Sequence, residues 1–320
     1  MIQVGQRQLG ASGIMVPSLG IGIWSWGDRQ YWDYGQNYTR EDISQAYKVC
    51  LDAGLNFFDT AEIYGSGMSE RLLGDCMRAD GRPIVIASKF APLLLRFSAR
   101  SLLTALDHSL ERLGVERIDL YQIHWPSWRI GIQPLMDTLA EAVRSGKVRA
   151  VGVSNYSAVQ MRMAYERLKR YEIPLASNQV HYSLLNRKPE SNGVLAACRE
   201  LNVALIAYSP LEQGLLTGKY RVTLANEQPI TGSRRFIPAF STAQRQKMEP
   251  LMETLTQIAR VHDKTCGQVA LNWLLEKDEH IIPIPGARNM RQAQENTGAL
   301  GWRITPEEQK RLDTASELWL

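Results

Sequence analysis

The sequence predicts an α/β protein, a (β/α)8 barrel of the TIM type with a short N-terminal β-hairpin and extra C-terminal helices. Three observations lead there. Eight short apolar runs alternate with helical patterns and start about every 30 residues, the length of one β–α unit. The runs are apolar throughout, as in strands buried on both faces of a parallel sheet. The rival arrangement, a doubly wound sheet, needs a glycine-rich dinucleotide turn after its first strand. The nearest match, Gly20-Ile21-Gly22-Ile23-Trp24-Ser25-Trp26-Gly27, has the wrong spacing and no helix start behind it. At 320 residues and 44% hydrophobic, the chain reads as one domain, 1–320, with a barrel-sized core.

The elements follow in order. Residues 2–19 alternate around Gly10, Gly13 and Pro17 and predict the hairpin. Leu19 to Ile23 is the first core strand, followed by an irregular aromatic loop, Trp24 to Trp32. Thr39 with Asp42 three residues on is a capping-box start for a helix to Leu51, ended by Gly54. The second strand ends at Asp59. Helix Ser69 to Ala79 leads to strand 84–88, and helix Ala99 to Leu113, stopped by Gly114, leads to strand 118–123. Helix Leu135 to Ser145 leads to strand 148–153, helix Ala158 to Tyr171 to strand 176–180, and helix Gly193 to Leu201 to strand 203–207. The spacing breaks at a long loop, 211–240. Helices over 243–262 and 265–277 precede the last strand, His280 to Ile284. A short helix near 289–299 and another after Thr305-Pro306 finish the chain.

Net charge of +4 and 22% charged residues fit a solvated surface with a mild attraction for anions, and no nucleic-acid partner is expected. Cys50, Cys76, Cys198 and Cys266 form no C-x-x-C pair and accompany no histidine cluster, so neither a disulfide scaffold nor a metal site is expected. No signal-peptide pattern and no membrane-length apolar run is visible. The expected location is the cytoplasm, with no membrane partner.

Chemistry concentrates at the predicted strand ends, where barrels of this class carry their sites. The second strand presents Asp59 and, after Thr60-Ala61-Glu62-Ile63, Tyr64. The third presents Lys89, the fourth His124, the fifth Ser154-Asn155 and the sixth Gln179. The seventh presents Tyr208-Ser209-Pro210, and the eighth Gly286-Ala287-Arg288 at a helix start. A tyrosine is a weak acid at neutral pH, and a nearby ammonium lowers its pKa by stabilising the phenolate. Lys89 can supply that ammonium, Asp59 can hold it, and His124 can orient a substrate oxygen. The set suits proton donation to a carbonyl being reduced, with hydride from outside the chain. Ser154, Asn155 and Gln179 can pair with a carboxamide, Tyr208 can stack on a flat ring, and Lys219 and Arg288 can meet phosphates. Trp24, Trp26, Trp32 and Trp125 either line a substrate pocket or pack loops. Arg234 and Arg235 either clamp a ligand or belong to a solvated loop, and His181 reads as structural.

Taken together, the segments Leu19 to Trp24, Phe58 to Gly65, Ser109 to Gly114, Asp119 to Pro126, Gly152 to Asn155, Ala207 to Leu211 and Ile284 to Arg288 resemble the aldo-keto reductase family across the whole chain. The nearest likeness is to its subgroup of cyanobacterial and chloroplast reductases and potassium-channel β subunits. The resemblance implies NADPH bound extended across the barrel mouth and reduction of a small carbonyl compound, an aldehyde or a ketone, with methylglyoxal-type carbonyls among the candidates. It implies Tyr64 as proton donor, Lys89 and Asp59 tuning it, and His124 orienting the carbonyl. It implies that Ser154, Asn155 and Gln179 hold the nicotinamide carboxamide and that Tyr208 stacks on the ring, with Gly22, Ile23, Trp24, Asp59, Ser209 and Pro210 also among the cofactor-binding residues. Leu211, Gly214 and Lys219 fall along the pyrophosphate, with Arg234 nearby. Arg288 falls at the 2′-phosphate and Gln292, Glu295 and Asn296 around the adenosine, with Gly286 also among the cofactor-binding residues. Ile23 stands where the family often has Thr, which leaves only its backbone for a contact. Trp24, Trp32, Tyr64, His124 and Trp125 form the implied substrate pocket. The channel-binding members supply an alternative, an NADP(H)-binding regulatory subunit with slow residual reductase activity. Oligomeric state is left open.

Overall fold

The computed structural model describes residues 4–94, 96–222, 229–230 and 232–320. Strands β1 (Gln6–Gln8) and β2 (Met15–Pro17) pair antiparallel as the hairpin. Leu9, Ile14 and Val16 from this unit are buried against Phe57, Leu120, Ala176, Ala204 and Ile282, so the hairpin plugs the N-terminal end of the barrel.

Eight parallel strands make a nearly closed barrel: β3 (Ile21–Gly22), β4 (Phe57–Asp59), β5 (Val85–Phe90), β6 (Ile118–Ile123), β7 (Val148–Ser154), β8 (Leu175–His181), β9 (Ala204–Tyr208) and β10 (Ile281–Ile284). Each pairs with its neighbours in chain order, and β3 meets β10 through an isolated Gly22–Gly286 bridge. Across that seam Gly20 N–H donates to Pro283 O at 3.0 Å and Gly22 N–H to Pro285 O at 3.1 Å. Pro283 and Pro285 have no N–H to return.

Between the barrel strands lie α1 (Arg40–Asp52), α2 (Met68–Asp80), α3 (Ser101–Leu113), α4 (Ile132–Arg144), α5 (Ala158–Lys169), α6 (Lys188–Ser191), α7 (Val194–Leu201), α8 (Thr242–Lys247), α9 (Glu249–Val261) and α10 (Cys266–Lys277); α11 (Met290–Thr297) and α12 (Pro306–Ala315) follow β10. The capping-box expectation holds at α1, where Thr39 N–H donates to Asp42 Oδ2 at 2.8 Å. Ser157–Gln160, Thr265–Gln268 and Thr305–Glu308 repeat the device at α5, α10 and α12.

Several boundaries differ from the sequence reading for identifiable reasons. The first strand shortens to two residues. Strand β5 runs on to Phe90, so Lys89 lies inside it. The helix expected over 243–262 breaks into α8 and α9 at Met248, because Pro250 lacks the N–H a continuous helix would use. The loop 211–240 contains 3-10 turns at Glu212–Thr217, Gly232–Phe236 and Pro238–Phe240, while its residues 223–228 and 231 lie outside the described residues. The strands are also not apolar throughout. Period-2 alternation sends Phe58, Ile86, Tyr121 and Val151 outward to the helices. Phe57, Ala87, Leu120 and Ala150 point inward low in the barrel. Above them the interior turns polar, with Asp59, Lys89, Gln122, Ser177 and Gln179 all buried. Barrel interiors are filled in layers, and here the uppermost layer is hydrophilic and opens into a cavity.

Candidate active site

A cavity of about 660 Å³ opens at the C-terminal end of the strands. At its floor Lys89 Nζ donates to Asp59 Oδ1 at 2.5 Å, to Thr60 O at 2.8 Å and to Tyr64 Oη at 3.3 Å. Gly65 and Ser66 both adopt left-handed backbone, at φ 54° and 55°, and this kink turns the chain back so that Tyr64 meets Lys89. A Cβ on Gly65 would stand 2.9 Å from the Gly27 carbonyl, so the turn requires glycine. Asp59 is held at its other oxygen too, by Gln179 Nε2 at 2.8 Å and Gln122 Nε2 at 3.2 Å.

The electrostatics depart from the sequence reading at one point. Burial pushes the Tyr64 hydroxyl up, Lys89 pulls it down, and burial wins, so the phenol is raised rather than lowered. Burial works against the Lys89 ammonium, yet Asp59 and Tyr64 outweigh it and keep the lysine charged. His124 is pushed down to about 2, first by burial and then by Lys89, and is therefore a neutral imidazole. Its ring stands edge-on to Tyr64 at 5.6 Å between centroids, and its Nδ1 is buried with no partner among the described residues.

Above this floor, Ser154 Oγ donates to Gln179 O at 2.9 Å and Asn155 Nδ2 to His124 O at 3.0 Å. Tyr208 Oη donates to Asn155 Oδ1 at 3.0 Å. Asn155 and Ser209 hold left-handed backbone at φ 61° and 52°, a cost of the kind that accumulates at functional sites. His181 stacks behind Tyr208, centroids 5.3 Å apart, and is anchored to Glu212 Oε1 at 2.5 Å. It supports a ring that faces the cavity.

The cavity runs on from Tyr64 to a cationic end. Lys219, Arg234, Arg288 and Arg291 line it there with Glu295. Burial, Arg234, Arg288 and Arg291 push the Lys219 ammonium down to about 8. Such crowding of like charge calls for an anion. Gly214, at φ 102°, leaves space for Lys219: a Cβ there would lie 3.0 Å from its Cε. At the start of α11 some amides are already used, Arg288 N–H by Gln292 Oε1 and Gln292 N–H by Asn289 Oδ1.

The predicted residues are largely brought together. Gly22, Trp24, Trp32, Trp125, Ser209, Pro210 and Leu211 line the cavity, as do Gly286, Gln292, Glu295 and Asn296. Ile23 does not line it. Its side chain is in the core, its N–H donates to Asp59 O at 2.9 Å and its carbonyl accepts from Ser69 Oγ, so its backbone is committed within the protein. Arg235 stays outside, stacked on Phe236, and Trp26 is buried with its indole N–H on Ala287 O. Sequence reasoning missed Tyr31 and Gln213, whose Tyr31 Oη to Gln213 Oε1 bond of 2.7 Å ties the aromatic loop after β3 to the loop after β9. It also missed Ile63, Thr217 and Arg291 in the lining. Arg291 stands one turn of helix before Glu295, a spacing that could have pointed to it.

The model of the Aldo/keto reductase family matches residues 18–317. The chain is 36% identical over 318 residues to the chloroplastic pyridoxal reductase of Arabidopsis thaliana, covering 95% of this chain and 84% of that one. It is 33% identical over 293 residues to the aldo-keto reductase yakc [NADP(+)] of Schizosaccharomyces pombe, covering 87% and 84%. Among solved structures, a glycerol dehydrogenase from Gluconobacter oxydans superposes with a TM-score of 0.82 at 27% identity, covering 100% of this chain and 95% of that one.

Proposed function

Because this chain belongs to the aldo/keto reductase family and is thus an oxidoreductase, we propose that it reduces aldehydes with NADPH, using Tyr64 as the proton donor. The observation that carries this reading is the floor of the cavity. A protonated phenol and a neutral His124 face one space that continues to four cationic side chains, and a charged Lys89 stands buried behind the phenol, 3.3 Å from its oxygen. The residues present fit the cofactor. The cation cluster suits its phosphates, the Tyr208 ring suits a flat heterocycle, and Ser154, Asn155 and Gln179 suit a carboxamide. Arg288 is the candidate for the 2′-phosphate, since a guanidinium binds such a group with two parallel bonds.

NADPH, when bound, supplies the hydride. The chain does the rest. His124 donates a hydrogen bond to the carbonyl oxygen from Nε2 and fixes its direction. Tyr64 Oη gives its proton to that oxygen as negative charge develops, and Lys89 stabilises the phenolate left behind. Asp59 keeps Lys89 charged and aimed. Trp24, Ile63 and Trp125 bound the substrate end and exclude water, an apolar surround that suits flat or apolar aldehydes, while Trp32, expected in the same pocket, lies under Arg234 and Arg288 toward the cationic end. The pyridoxal reductase relative points to the same class.

The test is NADPH oxidation against aldehydes, ketones and pyridoxal, with NADH in parallel, for wild type and Tyr64→Phe. The expected outcome is turnover of aldehydes with NADPH, lost at least 1000-fold or so in Tyr64→Phe while NADPH binding persists. Undiminished turnover in that variant would refute Tyr64 as the acid. Tight NADPH binding with no carbonyl reduced by the wild type would favour a cofactor-sensing role.

A further inference from the structure

We propose that Gln122 is a positioning residue of this reaction, which, backed by Ser177, clamps Asp59 from inside the barrel and so sets the acid strength of Tyr64. The inference rests on the proton-donor reading of Tyr64 given above. Asp59 has two oxygens. Lys89 takes Oδ1, and Oδ2 accepts from Gln179 at 2.8 Å and from Gln122 at 3.2 Å. Behind Gln122, Ser177 Oγ donates to Gln122 Oε1 at 3.2 Å. Both Gln122 and Ser177 are 0% exposed.

A glutamine amide buried at this depth costs stability unless both its ends are satisfied. Two residues earlier on the same inward face of β6 stands Leu120, so an apolar side chain fits the strand. Gln122 is instead hydrogen-bonded at both ends, toward Ser177 and toward Asp59. Strand β7 makes space for the pair. A Cβ on Gly152 would lie 2.2 Å from Ser177 Oγ and 3.1 Å from Gln122 Cγ. Three strands, β6, β7 and β8, thus have residue choices at one level that make sense only together.

The two glutamines on Asp59 differ in what else they can meet. Gln179 lines the cavity and is open to a ligand; Gln122 does not line it. Its amide therefore stays on Asp59 whether the site is full or empty. With Oδ2 held, the carboxylate cannot rotate away from Lys89, while Thr60 O, at 2.8 Å, independently keeps the ammonium 3.3 Å from Tyr64. Asp59 also partly neutralises that ammonium. Loosening Asp59 leaves Lys89 freer to stabilise the phenolate, which makes Tyr64 a stronger acid and deprotonates it at lower pH.

The experiment is a titration of Tyr64 in ring-labelled protein by NMR, with its signal assigned by its loss in Tyr64→Phe. It is run for wild type, Gln122→Met (similar shape, no amide) and Ser177→Ala. Kinetics over pH and NADPH affinity by fluorescence are measured alongside. The expected result is a Tyr64 midpoint about one pH unit lower in Gln122→Met, a smaller drop in Ser177→Ala and a non-additive double variant. With it the alkaline fall of the kcat profile moves down by the same interval, at nearly unchanged NADPH affinity. Ser177→Ala leaves Gln122 and Asp59 in place, so it reports even if Gln122→Met does not fold. An unmoved Tyr64 midpoint in the folded variants overturns the clamp. The titration does not depend on turnover, so a wild type that reduces no carbonyl would sink the proposed function without deciding this inference.

Discussion

Two side chains at the floor of the cavity have settled protonation states, and both bear on pH. In the proposed reaction Tyr64 gives up its proton, and burial raises it, so that proton is held throughout neutral pH and is lost only as pH climbs above about 10. His124, held near 2, stays neutral over the range where an ordinary histidine titrates. The kcat profile for carbonyl reduction is therefore expected to be flat between about pH 5 and 8. A steep inflection near 6.5 would mean that His124 ionises in the working enzyme. The same residue weakens the fold in acid. Below its unfolded value of 6.5 the unfolded chain binds a proton that the folded chain refuses. Stability then falls as pH drops, by up to about 1.4 kcal/mol per unit, and an acid unfolding series measures this. Asp59, Tyr64, Lys89 and His124 were legible in the sequence because each stands at or just beyond the end of an apolar run. Gln122 was passed over because it sits inside such a run, and only the layer it occupies shows its partners. The sign of the Tyr64 shift was not legible either, since it depends on how deeply the ring is buried.

At the scale of elements, two loops do what no strand does. The loop after β3 carries Trp24, Tyr31 and Trp32, which stack and cross at 5.0–5.3 Å. Tyr31 reaches Gln213 on the loop after β9, and Arg234 and Arg288 lie over Trp32 at 5.1 and 5.9 Å. The two loops thus meet across the groove assigned to the cofactor. Tyr31→Phe keeps the ring contacts and deletes the bond. NADPH release, followed by stopped-flow fluorescence, is expected to quicken by about 3- to 10-fold. An unchanged rate would show that the bond does not retain the cofactor. The repeat of strands and helices was readable because glycine stops and capping pairs are local signals. This bridge was not readable, because Tyr31 and Gln213 are far apart in the chain and neither belongs to a periodic pattern.

At the scale of the whole molecule, charge is distributed unevenly. The net charge is only +4, yet Lys219, Arg234, Arg288 and Arg291 gather at one end of one cavity. Such a cluster attracts an anionic cofactor and is screened by salt. Arg288→Leu is expected to weaken NADPH binding by about 10- to 100-fold and NADH binding by less than about threefold; equal losses would place the 2′-phosphate elsewhere. The closed barrel was legible from its repeat, but the make-up of its seam was not, since that depends on two glycines and two prolines meeting edge to edge. The meeting has a kinetic consequence. Across the β3–β10 seam, Gly20 and Gly22 donate and the prolines cannot reciprocate, so the hoop is fastened by half the usual bonds where it passes under the cavity. Local opening should begin there. Deuterium uptake at the Gly20 and Gly22 amides should outpace that of β5 and β6, and should slow when NADPH lies across the seam as its clasp.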